Sequence, residues 1–105
     1  MAWINLAIAG ILEIFWAISL KYTEGFTKFW PNIFTVFGMI ASFYFLAQAL
    51  KVIPVGTGYA IWTGIGAAGT AIFGIILFDE SAAPARLACI TVIVAAIIGL
   101  KLTSS

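Results

Sequence analysis

The sequence contains no histidine and one cysteine, Cys89. It therefore offers no ligand set for a zinc site, and its lone thiol cannot close an internal disulfide. Cys89 lies in an apolar segment and reads as a small packing residue. Charge is also scarce: Lys, Arg, Asp and Glu make up 9% of the 105 residues, against about 25% in a soluble domain. A net charge of +1 provides no basic patch for nucleic acid, so no nucleic-acid partner is expected. With no histidine, no nucleophile–base pair and no metal cluster, neither an enzyme nor a cofactor is expected.

What fills the chain instead is apolar. Hydrophobic residues make up 64% of it, more than a soluble fold of this size could hide, and the expectation is an all-α, multi-pass membrane protein. Taking about 18 apolar residues as the spanning criterion, four spans are expected at about 2–20, 32–50, 55–78 and 85–103. They form a single domain over 1–105, with no linker or repeat. The first run lacks a basic leader and a small-residue cleavage site, so it is expected to remain as a span. Trp30-Pro31 opens the second span: proline fits a first helical turn, and tryptophan favours the interface. Lys51 and Pro54-Val-Gly56 form a tight second loop. Asp79-Glu80 to Pro84 form the third. Arg86 and Lys101 can snorkel to the interfaces and lengthen the last span.

Charge does not settle orientation. Four spans put both termini and the second loop on one side, with Lys51 and Lys101; Lys21, Lys28 and Arg86 lie on the other. Two cations against three is a weak bias under the positive-inside rule, and leaves both a single and a dual orientation open. Four helices enclose little cavity alone, whereas a dimer would double them. Ala88, Thr91, Ala95 and Gly99 recur at spacings of three and four in the last span, the small-residue pattern that lets helices approach closely in lipid.

Glu13 is the one ionisable side chain between Met1 and Leu20. A charge at mid-bilayer costs about 2.5–3.5 kcal/mol even on the lenient insertion scale, so a carboxylate there implies a use. At helical spacing Glu13 shares its stripe with Ala9, Gly10, Trp16 and Ala17. The third span sets Tyr59, Trp62 and Gly66 on one face, and Gly64-Ile65-Gly66 weakens its helix propensity, leaving close packing and a hinge both open. Ser42 is a mid-span hydroxyl, able to satisfy itself on its own helix backbone. One carboxylate among aromatics suits an organic cation, through charge and cation–π attraction of about 2 kcal/mol when desolvated; a hard metal ion would want several oxygens. Apolar surroundings disfavour a bare carboxylate, so Glu13 can hold either a proton or a cation. Competition between them for one site would make a proton-coupled exchanger.

The stretches Gly10-x-x-Glu13-Ile-Phe-Trp16-Ala17, Ser19-Leu-Lys21, Glu24-Gly25-Phe26, Ala41-Ser42-Phe43, Ile53-Pro54-x-Gly56 and Tyr59-Ala-Ile-Trp62-Thr-Gly64-Ile-Gly66 resemble, taken together, the small multidrug resistance family and its guanidinium exporter subtype. The resemblance covers the whole chain. It implies an antiparallel homodimer of oppositely inserted subunits in the plasma (inner) membrane. Glu13 would bind substrate and protons alternately, with Gly10, Trp16, Ser42, Tyr59 and Trp62 binding substrate or orienting the carboxylate. Gly64 and Gly66 would form the hinge, and Ala88, Ala95 and Gly99 the dimer contact. The alanines at 88 and 95 stand where the family often has glycine. Trp16 takes the place of a small residue in the polyaromatic-cation exporters, which favours a small planar cation such as guanidinium over quaternary ammonium. A passive cation channel and a helper of a larger membrane complex are the competing classes.

Overall fold

The computed structural model describes residues 1–103. Four helices follow one another: α1 (Ala2–Tyr22), α2 (Phe29–Ala49), α3 (Val55–Phe78) and α4 (Pro84–Thr103). Each is apolar along its length, and each is long enough to cross a membrane; at 1.5 Å per residue the 24 residues of α3 reach about 36 Å. The positions follow the expected spans closely. α2 begins earlier than expected, at Phe29, because Lys28 is extended and caps it while Pro31 falls within its first turn.

The breaks between helices have local causes. In the first loop Glu24, Gly25 and Phe26 all take positive φ. Thr23, fully buried, holds them: its Oγ1 donates to Leu20 O at 2.7 Å and accepts from the Phe26 N–H at 3.1 Å. α3 ends where Asp79 turns left-handed (φ 54°) and the Glu80 N–H reaches back to Gly74 O at 3.3 Å, a standard way of closing a helix C-terminus. Pro84 opens α4.

α1 packs against both α2 and α3, while the backbone of α4 runs close to α3 alone. The result is a flattened array, 42 × 34 × 17 Å. Close approach depends on missing side chains. A Cβ on Gly38 would lie 2.8 Å from Trp16 Cβ, and one on Gly10 would lie 2.6 Å from Ile65 Cγ2. Leu6, Ala9, Leu46, Ala49, Ile53, Ile61 and Trp62 form the buried core. These residues come from the start of α1, the end of α2, the second loop and the start of α3, so the core closes the end of the array that carries that loop. Outward positions are apolar too, Phe37, Ile76 and Val92 among them, as lipid contact requires. Lys101 places its Nζ 5.4 Å from the centre of the Trp3 ring, consistent with an ammonium drawn to an interfacial aromatic.

Candidate functional site

Glu13 lies at mid-length on α1, on the side facing α3. The opposing position on α3 is Gly66, which is buried, and a Cβ there would overlap the Glu13 carboxyl. Glycine thus makes the room in which the carboxyl sits. Its Oε1 is buried without a hydrogen-bond partner. A buried acceptor left unpaired carries a penalty of about 1–3 kcal/mol, more when charged, so this oxygen is poised to accept from a donor the chain does not supply. Glu13 lines a groove of about 510 Å³ between α1 and α3, which continues past Thr70 and Gly74 to Glu80 and Arg86 in the third loop and the start of α4. Among the described residues no group of three His, Cys, Asp or Glu could hold a metal ion.

Ser42 makes a cross-helix contact that its mid-span position did not disclose. Its Oγ, fully buried, donates to Ala9 O on α1 at 2.7 Å and accepts from Trp62 Nε1–H on α3 at 3.0 Å. One hydroxyl therefore ties three helices together. The Ala9 carbonyl is the one that the helix ladder assigns to the Glu13 N–H, so the node sits one turn from the carboxylate. It fixes the Trp62 ring and supports the backbone beneath Glu13.

Trp16 lies toward α2, against Gly38, and its Nε1 is buried without a partner. Phe43 links it to the other aromatics: the Trp16 and Phe43 ring centres are 6.5 Å apart, Phe43 and Trp62 5.6 Å, and Tyr59 and Trp62 5.5 Å. Tyr59 is 56% exposed. The structure thus joins Trp16, Ser42, Tyr59 and Trp62 in one aromatic and hydroxyl array, and sets Glu13 with Gly66 in the adjoining groove. Gly10 packs on Ile65, and Gly64 faces Ile97 of α4. α3 runs unbroken through Gly64 and Gly66. Ala88 and Ala95 are exposed on α4, and a Cβ on Gly99 would meet nothing within 4 Å.

Two members of the site were not singled out from the sequence. Phe43 bridges two tryptophans from different helices, which no spacing on α2 reveals. Thr70 had a signal: it continues the Trp62–Gly66 stripe at four-residue spacing, and its Oγ1 is buried without a partner.

Compared with known proteins, residues 1–93 match the family described as Small Multidrug Resistance protein. The chain belongs to the small multidrug resistance family. Relatives within that family are also similar in sequence along nearly the whole chain. A protein of Citrobacter freundii named guanidinium exporter is 59% identical over 104 residues, 99% of both chains. One of Salmonella typhi with the same name is 58% identical over 99% of both chains. A third, of Yersinia pseudotuberculosis, is 58% identical over 99% of this chain and 100% of its own. The motif resemblance to the guanidinium exporter subtype is thereby borne out. These small multidrug resistance proteins are named as exporters, not enzymes, and the chain is a multi-pass membrane protein of the same kind.

Proposed function

We propose that the protein is a proton-coupled antiporter that exports guanidinium and small guanidinyl cations across the plasma (inner) membrane, with proton and substrate competing for Glu13. The observation that carries this reading is the unpartnered Glu13 Oε1 held over Gly66 in an open groove. A guanidinium ion is planar, weakly hydrated and rich in N–H donors, and it pairs with a carboxylate in bidentate fashion. It supplies the donors that Glu13 lacks. The names of the relatives point the same way. Quaternary ammonium ions have no N–H to offer that oxygen.

Protonation removes the charge that holds the cation, so loading a proton releases substrate and loading substrate displaces a proton. The working unit is an antiparallel homodimer, in which the core-closed end of one copy stands beside the groove-open end of the other. Its contact runs along α4, where Ala88, Ala95 and Gly99 present small residues away from α3. The hinge that switches access lies at Gly64 and Gly66.

Proteoliposomes loaded with a pH-sensitive dye test the mechanism. Proton movement is expected only when guanidinium is present on the opposite side, and Glu13→Gln is expected to abolish it while the protein still elutes as a dimer. Coupled transport by Glu13→Gln would sink the competition mechanism. Proton current without guanidinium would indicate a channel, and faster exchange with a quaternary ammonium ion would indicate the multidrug subtype.

A further inference from the structure

The groove carries a carboxyl at each end, and both are seated in the same way. Glu13 lies over Gly66 and Glu80 lies over Gly74; a Cβ on either glycine would overlap the carboxyl above it. Eight residues of α3 separate the glycines, about 12 Å along the axis at 1.5 Å per residue. Midway, four residues from each, stands Thr70 with a buried hydroxyl that has no partner. All lie along one continuous groove.

The outer carboxyl already holds a guanidinium. Arg86 Nη2 donates to Glu80 Oε1 at 2.7 Å, and Arg86 Nη1 donates to Ser81 O at 3.1 Å. Arg86 is the only arginine in the chain, and its head group is the chemical group of the cation assigned above to Glu13. Building on guanidinium export through Glu13, we propose that Glu80 is a loading site for guanidinium cations at the groove mouth, with Arg86 as its tethered competitor. The pair is reachable from water, with side chains 41% and 32% exposed for Glu80 and Arg86. An exposed ion pair of this kind adds little to stability, so holding the fold together does not account for it. Lys21 and Arg86 also line this end; without Glu80 the entrance would repel cations. A short tether presents Arg86 at an effective concentration in the millimolar range, so a free guanidinium displaces it only briefly. Brief occupancy suits a site that hands its ion onward, since conduction requires binding weak enough to leave. Thr70 can accept from the cation between the two carboxyls.

The test is initial-rate uptake of radiolabelled guanidinium by the full-length protein in proteoliposomes, with size-exclusion profiles confirming the fold of each variant. Glu80→Gln is expected to lower kcat/KM roughly tenfold, the lower end of what charged clefts add to association rates, while the rate at saturating guanidinium is kept. Arg86→Gln is expected to raise kcat/KM by freeing Glu80, and Glu80→Asp to restore part of the loss. A merely structural ion pair predicts that both neutral variants decline together; that result, or wild-type kinetics in Glu80→Gln, overturns the proposal. If wild-type protein moves no guanidinium, the export reading falls with it. If wild type transports, Glu13→Gln does not and Glu80→Gln matches wild type, only the loading site falls.

Discussion

Gly66→Ala separates what the fold needs from what the site needs. The added methyl enters the space held by the Glu13 carboxyl. Backbone does not block it; the far end of a flexible side chain does, and that end can swing away toward the open groove. Displacing a side chain from its preferred rotamer costs about 0.5–1.5 kcal/mol, so the helices are expected to pack with little loss of stability. The site is less forgiving. A hydrogen bond to a charged group contributes about 1.5–3 kcal/mol, and a shifted carboxylate loses one arm of a bidentate pair with guanidinium. At 1.4 kcal/mol per tenfold, that is a loss of roughly 10- to 150-fold in affinity. Isothermal titration of guanidinium into purified protein, paired with a thermal melt, reads both quantities. Two controls bracket the result. Gly10→Ala meets Ile65 Cβ at 2.9 Å and is expected to cost about 1–3 kcal/mol of stability as overpacking. Gly56→Ala meets nothing within 4 Å and is expected to be silent in both assays. Wild-type affinity in a well-folded Gly66→Ala protein would refute the placement of the binding carboxyl over Gly66.

Trp16→Gly is expected to open space beside Gly38 and loosen selectivity toward larger cations, as seen in competition of quaternary ammonium ions for guanidinium uptake; an unchanged profile counts against the subtype reading. Ser42→Ala strands the Trp62 indole N–H and is expected to destabilise by about 1–3 kcal/mol, with a shift in tryptophan fluorescence reporting the freed ring; an unshifted spectrum would mean that the hydroxyl does not hold Trp62. A cysteine placed at Lys28 after Cys89→Ser is expected to react with impermeant maleimide from both sides of the membrane, and one-sided labelling would reject dual insertion.

The helices were legible from the sequence because the charges are so few. Lys21 to Lys28, Lys51 to Pro54 and Asp79 to Pro84 interrupt apolar runs that otherwise have no reason to stop. Glu13 was legible for the same reason, as a single expensive residue in a run of cheap ones. Relations between helices were not. Ser42 could bond its own helix or another; only the register of α1 against α2 brings Ala9 O within reach. Gly66 was visible as a glycine and Glu13 as a carboxylate, but that one makes room for the other depends on the α1–α3 crossing. Thr70 sits on a readable stripe, yet a hydroxyl in a helix can back-bond to its own turn, so its open valence shows only once the packing is known.

The contact pattern also bears on how the chain is made. α2 packs on α1, α3 packs chiefly on α1, and α4 packs chiefly on α3. Each helix after α1 thus finds its main partner already in the bilayer, and only α1 must wait for later ones. α1, which carries the single costly carboxylate, gains neighbours on both sides as α2 and α3 emerge. The segment least suited to lipid thus gains cover on both sides before α4 emerges, and α4 keeps an exposed face.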